Sequence, residues 1–498
     1  MTIELPAING FNRPHFVLIP LMAAGHTIPM IDMACLLAGH GAAVTLITTP
    51  LNAARVKATA DSIHMSGDPI NIVALTFPAA EFGLPEGCEN LDAVPTLDLI
   101  PNFFHACAAL REPLVVHLRQ VPTSPSCIIA DSFHPWAHDL AVEFGVPRFM
   151  FNGFCSFSLL CRYVIYHEKI LERIKEDEEQ FIIPGLLHRV EISKDQCPKS
   201  IGGTVMVDFR DKMMAAEALA DGVVINSFDE LEPEYVAAFG KATGKTVMTI
   251  GPMLLCNEED AAKTGRGNQS AIDEERCLSW LDGRRPGSVV YVSFGSLAKT
   301  PPEQVMEIGL GLEASNQAFV WVIKAGERSP EVEEWIERER FEERTKERGL
   351  LIRGWAPQRL ILGHPAVGGF VTHCGWNSTL EGVTAGVPMA TWPHFAEQFL
   401  NERLVVEILK IGVSVGVKKA TMFVKDGRKD GAEPAAVRRE EVERAVRRLM
   451  EEDGEGKEVR ERARVMGEKA RKAMKEGGSS HLNLNRLVRF ARERERAQ

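Results

Sequence analysis

The chain alternates short strands of the buried type with amphipathic helical stretches, stops, and then does so again. Residues 15–22 (HFVLIPLM), 42–50, 70–77, 126–133, 147–154 and 221–228 are apolar runs rich in Val, Ile and Phe, and most end near Gly, Pro, Asn or Asp. A strand buried on both faces reads as such a continuous run rather than as an in–out alternation. Amphipathic stretches such as IPMIDMACLLAGHG lie between several of them. The order is therefore βαβ, which builds a parallel sheet covered by helices on both faces. The pattern resumes at 288–296 (SVVYVSFGS), 318–326, 349–355, 367–375 and 387–393, after a polar stretch at 257–276. A chain of 498 residues is too long for one core. Two α/β domains joined by a linker are expected, with boundaries at 1–252, 253–276 and 277–478.

The last residues change character. Residues 437–452, 457–478 and 479–498 read as charged helices, the second with Val459, Ala463, Met466, Ala470 and Ala473 as one apolar stripe and Gly477-Gly478 as its stop. The charged faces read as solvated surface. With Lys plus Arg 57 against Asp plus Glu 68, the net charge of −11 gives no global pull toward nucleic acid or anionic lipid. Ten cysteines form no CxxC and no zinc spacing, the pattern of reduced thiols. No basic region followed by an apolar one opens the chain, and no apolar run reaches membrane-spanning length, so a soluble cytoplasmic protein is expected.

Residues 368–382, GGFVTHCGWNSTLEG, concentrate polar groups where a strand turns into a helix. Ligands of open α/β sheets bind beyond the carboxyl ends of the strands. A helix starting near Asn377 or Ser378 would offer unpaired N–H groups and partial positive charge to a phosphate, with Gly375 allowing close approach and His373, Asn377 and Ser378 adding donors. A plainer alternative is a capping box, Ser378-Thr379-Leu380-Glu381, serving only the helix. It leaves His373 and the glycines unexplained.

From Trp355 to Gln398 the chain reads WAPQRLILGHPAVGGFVTHCGWNSTLEGVTAGVPMATWPHFAEQ. This resembles the signature of the plant secondary-product, or family 1, UDP-glycosyltransferases, and PLMAAGHTIPM, FNGFC and GGSSHLNLNRL resemble the same family elsewhere in the chain. The resemblance implies the GT-B fold: two facing Rossmann-like domains, with the 479–498 helix crossing back to the N-terminal domain. It implies a C-terminal domain holding the sugar nucleotide, Trp355 stacking on uracil and Ala356 meeting the base edge through its backbone. Gln358 and Glu381 would bind the ribose diol, and His373, Asn377 and Ser378 the phosphates, with Gly295-Ser296 on the other side. Glu397 and Gln398 would hold sugar hydroxyls, helped by the Trp376 backbone. The closing Gln398 fits glucose, where a His in this family is linked to galactose. His394 stands where many relatives carry Leu, near the sugar end of the cleft, where it either shapes the acceptor mouth or is neutral variation.

On the acceptor side, the resemblance makes His26 the general base and Asp131 the carboxylate that fixes its tautomer. Phe82, Leu84, Phe103, Phe154, Phe157 and Leu159 are the candidate pocket residues, with Gly153 leaving space. The expected reaction is a single inverting displacement that moves glucose from UDP-glucose to a hydroxyl of a small apolar metabolite of flavonoid, terpenoid, steroid or phenolic type. It needs no metal and no cofactor beyond the co-substrate, and a monomer is expected. The same dyad could serve C-glycosylation of a phenolic ring. A dinucleotide-dependent oxidoreductase is the rival class, but no GxGxxG follows the first strand. A non-catalytic sugar-nucleotide binder would have no use for both His26 and Asp131.

Overall fold

The computed structural model describes residues 13–55, 70–198, 206–256, 272, 274–295, 300–421 and 436–497. The strands in chain order are β1 (His15–Ile19), β2 (Ala43–Thr48), β3 (Ile70–Ala74), β4 (Cys127–Asp131), β5 (Arg148–Asn152), β6 (Gln180–Ile182), β7 (Glu191–Ser193), β8 (Gly222–Ile225) and β9 (Thr246–Thr249). They continue with β10 (Val289–Ser293), β11 (Ala318–Ile323), β12 (Gly349–Arg353), β13 (Val367–Thr372), β14 (Met389–Thr391) and β15 (Gly412–Ser414). Every apolar run picked out from the sequence contains one of these strands.

One sheet has the order β3-β2-β1-β4-β5-β8-β9 and the other β12-β11-β10-β13-β14-β15; β6 and β7 form a separate antiparallel pair. The pairings from β3 to β5 and throughout the second sheet are parallel. Each sheet starts in its middle, winds to one edge, and returns to wind to the other. The reversal falls between β1 and β4 in the first sheet and between β10 and β13 in the second. Helices leaving the two strands at such a point go to opposite faces and open a crevice at the carboxyl ends. The doubly wound, two-sheet α/β architecture expected of GT-B is present.

By internal contacts the chain forms two units, Met1–Phe151 with Asp211–Val224 and Leu482–Gln498, and Asn152–Arg210 with Ile225–His481. Of the expected linker, only 253–256, 272 and 274–276 lie among the described residues, and Met253–Cys256 is a short 3-10 helix. The helix Ser479–Ala497 joins the first unit from Leu482 onward, where Phe490 packs edge-on against Phe149 of β5 at 5.3 Å.

The second core is built from β10 and β11 side chains (Val290, Val292, Phe319, Trp321) and from Val305, Ile308 and Leu312 of the helix Pro302–Ser315. Val442, Val446 and Leu449 of the helix Arg439–Met450 complete it. The helix Gly454–Met474 buries Val459, Ala463, Ala470 and Ala473, but Met466 is only partly covered and Gly467 takes the buried place. The reason is steric: a Cβ at residue 467 would lie 3.0 Å from the Gly386 backbone and from the Val383 carbonyl, so the helix can approach that closely only without a side chain. Gly477, at φ +80°, stands between this helix and the last one. Among the described residues no helix is long and apolar enough to cross a membrane.

Candidate active site

The first sheet's reversal point carries His26 and Asp131. β1 leads through Pro20–Ala23 into the helix Ala24–Gly39, whose N-cap, Ala23, supplies no side-chain cap. His26 is the third residue of that helix. Asp131 closes β4, the strand paired to β1. The His26 Nδ1 and Asp131 Oδ2 atoms are 2.7 Å apart, with the histidine side chain 20% exposed and the carboxylate 1% exposed. The other carboxylate oxygen accepts from the Phe133 N–H at 3.0 Å. Burial pushes the Asp131 carboxyl up, but the charge and hydrogen bond of His26, helped by His134 and the Phe133 N–H, outweigh it and hold the group below its ordinary 3.8. An anionic acceptor on Nδ1 keeps the proton there and leaves Nε2 as the basic nitrogen.

An aromatic wall runs from the imidazole. Phe133 stands edge-on to His26 (5.8 Å), Phe104 stacks on Phe133 (5.7 Å), and Phe103 and Phe77 follow. Phe104 and Phe133 are therefore nearer the histidine chain of contacts than most of the residues expected there. Phe103 (0% exposed) and Leu84 (5%) are buried, and Phe82 is partly exposed. Phe154, Phe157 and Leu159 belong to the second unit. Phe154 is partly exposed, whereas Phe157 and Leu159 are buried, Phe157 with its ring 4.8 Å from that of Tyr235. Phe103, Phe157 and Leu159 thus present no open surface to a ligand; they fill core.

The second sheet's carboxyl end collects the other candidates. Trp355, partly exposed, and the buried Ala356 follow β12. Gln358 opens the short helix Gln358–Gly363 and donates to Glu381 Oε2 at 2.5 Å and Ser378 Oγ at 3.1 Å, while Tyr291 OH donates to Gln358 Oε1 at 3.2 Å. Ser378 and Glu381 lie on the helix Trp376–Ala385, which is N-capped by Gly375 with no side-chain cap. The capping-box alternative fails for that reason: the helix starts at Trp376, so Ser378 is already its third residue, and Glu381 is turned to Gln358. Its N-cap residue, a glycine, supplies no side chain to the first turn, the form suited to an anion. Trp376 is buried, its indole N–H donating to the Asn226 carbonyl at 2.7 Å, and Asn377 is partly exposed.

His373 follows β13 and explains the glycines. A Cβ on Gly295 would lie 2.5 Å from the His373 ring, and one on Gly375 2.3 Å from its Nε2. The imidazole therefore fits only between two residues without side chains, and Gly295 is also at φ +68°. Burial, and secondarily Lys324, push the His373 imidazole down to about 3. Ser296 lies outside the described residues.

The remaining two donor candidates sit on one loop. Glu397 (6% exposed) N-caps the helix Gln398–Arg403, and Gln398 Oε1 accepts the backbone N–H groups of His394 at 2.8 Å and Phe395 at 3.1 Å. Asn401, unmarked in the sequence, ties this loop to the turn after β13. Its amide donates to the Cys374 carbonyl at 2.8 Å and to Glu397 Oε1 at 3.5 Å, and its oxygen accepts from Ser158 Oγ at 2.8 Å. Cys374 (φ +63°) and Ala396 (φ +53°) hold left-handed backbone conformations on either side of this clasp. His394, expected at the acceptor mouth, is buried at 4% exposure after β14 against Phe294.

Two doubly wound sheets, one with a His–Asp pair whose carboxylate is buried and one with a glycine-capped helix beside a histidine, a carboxylate and an amide at their reversal points, define a nucleotide-sugar transferase class of fold. The chain belongs to the UDP-glycosyltransferase family. Residues 280–427 match the model for "UDP-glucoronosyl and UDP-glucosyl transferase" and residues 15–255 that for "Glycosyltransferase, N-terminal domain". UDP-glycosyltransferase 73C3 of Arabidopsis thaliana is 47% identical over 476 residues, 95% of each chain. The structure of Glycyrrhiza uralensis UGT73P12 complexed with glycyrrhetinic acid 3-O-monoglucuronide is 36% identical, with TM-score 0.86, covering 98% of this chain and 97% of that one. Arabidopsis thaliana UGT89C1 complexed with UDP-L-rhamnose is 30% identical, with TM-score 0.73, over 96% and 99%. The chain is a glycosyltransferase that uses a UDP-sugar.

Proposed function

We propose that the protein transfers glucose from UDP-glucose, with inversion, to a hydroxyl of a small apolar plant metabolite, a flavonoid, terpenoid, steroid or phenol, and that His26 and Asp131 are its catalytic dyad. The observation that carries this reading is the 2.7 Å contact between His26 Nδ1 and a buried carboxylate, which leaves Nε2 basic. Nε2 takes the acceptor's hydroxyl proton as its oxygen bonds to the anomeric carbon. The bond from that carbon to the phosphate oxygen breaks in the same step, and UDP leaves with the electron pair. Asp131 stabilises the imidazolium that forms. No enzyme nucleophile is required for one inverting displacement.

The second sheet supplies the donor half. Trp355 offers a face to uracil, Gln358 and Glu381 a pair of acceptors and donors to the ribose, and His373 and the first turn of Trp376–Ala385 a seat for the diphosphate. That seat, rather than a bound cation, takes up the leaving charge; among the described residues no three His, Cys, Asp or Glu side chains form a metal-ligand group. Glu397 and Gln398 face the sugar hydroxyls. No cofactor beyond the co-substrate is needed, and the chain works as a monomer in the cytoplasm.

The test is mass-spectrometric screening of flavonols, triterpenoids, steroids and simple phenols against several UDP-sugars, with NMR assignment of the product's anomeric configuration. Glucosides of inverted configuration, lost in His26→Ala, are expected. Retention of configuration, or turnover by His26→Ala at the wild-type rate, overturns the mechanism; preference for another UDP-sugar overturns the choice of glucose.

A further inference from the structure

Three groups able to carry positive charge meet at the carboxyl end of the second sheet, and the donor reading above uses one of them. His373 follows β13 and presses on Gly295. Lys324 follows β11; its ammonium donates to the Gly295 carbonyl at 3.2 Å and lies 3.5 Å from the Glu327 carboxylate. His394 follows β14, its ring edge-on to Phe294 at 5.8 Å and 88°. All three converge on Phe294–Gly295 at the end of β10, beside the strand-order reversal. Among the described residues His394 also meets Thr421, whose hydroxyl is 3.2 Å from Nδ1, and Gln398, which holds the backbone N–H. Glu327 is the carboxylate in contact with the cluster, and it also accepts from the Thr300 hydroxyl at 2.6 Å. Glu397, on the same loop as His394, bonds Asn401 instead.

Two imidazole nitrogens in this cluster, His373 Nδ1 and His394 Nε2, are buried without a hydrogen-bond partner among the described residues. Buried polar atoms are seldom left so. We propose that His394 is a positioning residue of the donor site that couples UDP-sugar binding to uptake of one proton from solvent, shared by the His373–His394 pair as the diphosphate enters. The inference rests on the donor site described under Proposed function. Its cause is electrostatic. Burial and then Lys324 push the His373 imidazole down to about 3, and burial, then His373 and Lys324, push the His394 imidazole down to about 3, so both favour the neutral form. A diphosphate diester brings two negative charges into the same confined space and reverses the sign of the local field.

Calorimetric titration of the whole protein with UDP-glucose near pH 6.5, in two buffers of unlike ionisation heat, reads the proton directly, because UDP-glucose has no ionisable group near that pH. We expect the wild type to take up about half a proton or more per bound UDP-glucose, and its Kd to rise with pH by up to about tenfold per pH unit below the bound-state midpoint and to level off above it. His394→Leu, and His394→Gln as a polar variant suited to the Thr421 contact, should lose most of the uptake and show a Kd that is flat with pH to about twofold. Equal heats in both buffers for wild type, or undiminished uptake in both folded variants, overturns the proposal. Failure of wild type to bind UDP-glucose at all would instead remove the donor-site reading on which it stands.

Discussion

Replacing Asp131 by Asn removes one charge and almost no volume at a site where the carboxylate is 1% exposed and holds two donors, His26 Nδ1 and the Phe133 N–H. The asparagine oxygen can keep one of those bonds, but its NH2 offers a proton to Nδ1 and favours the tautomer protonated at Nε2, which cannot accept from an incoming hydroxyl. It also removes the counter-charge for the imidazolium. A hydrogen bond to a charged group contributes about 1.5–3 kcal/mol. Placed wholly in the transition state, that is a loss of about 10- to 150-fold in kcat, with the KM for UDP-sugar changed by less than about twofold. His26→Ala should lose about 100- to 10,000-fold, and the double variant should be no slower than His26→Ala alone, since the two residues act as one unit. Initial rates by product chromatography at saturating UDP-sugar, with far-ultraviolet circular dichroism as the folding control, give all three numbers. A folded Asp131→Asn enzyme within twofold of wild type, or a double variant whose loss is the product of the single losses, would refute the dyad.

Other expectations follow from the same contacts. Asp131 has a folded pKa below its ordinary 3.8, so its contribution to stability is present above that value and disappears as pH falls through the lower folded value; acid-unfolding curves of wild type and Asp131→Asn should converge in that window and stay apart above it. Gly375→Ala and Gly295→Ala put a Cβ into the His373 ring and should raise the KM for UDP-sugar by about tenfold, the equivalent of one lost hydrogen bond, with Gly295→Ala the worse because of its φ of +68°. Glu381→Ala should raise the same KM by about 10- to 100-fold with a smaller change in kcat, measured against UDP product inhibition. Gly467→Ala should cost about 1–3 kcal/mol of stability through its contact with the Gly386 backbone, seen as a lowered Tm with unchanged activity of the folded enzyme.

The strands were legible because parallel strands buried on both faces must be written in apolar residues, and their runs end where the chain turns. β6, β7, β9 and β15 lie in none of those runs: β6, β7 and β15 are only three residues each, and β9 has one exposed and one half-covered position. Residues at or soon after strand ends, such as His26, Asp131, Trp355 and His373, are visible as polar interruptions in a recognisable order. Tyr291, Lys324 and Asn401 were not, because each owes its position to a partner far away in the chain: Gln358 for the tyrosine, the Gly295 carbonyl for the lysine, the Cys374 carbonyl for the asparagine. The apolar acceptor candidates were the least legible, since a phenylalanine in a helix start looks the same whether it lines a pocket or fills a core. Phe157 turned out to be core, and Phe104 and Phe133 stand on the wall beside His26.

The Asn401 clasp has a bearing on attempts to redesign the enzyme. One amide is bolted at the same time to the bend after β13 and to Glu397, so under the proposed donor arrangement retargeting toward a different hexose by changing Glu397 or Gln398 will also disturb the bend that holds His373. Libraries that randomise those two positions alone should return mostly weakened catalysts, and compensating changes should surface at Asn401 or Ser158, neither of which faces a substrate in the proposed scheme.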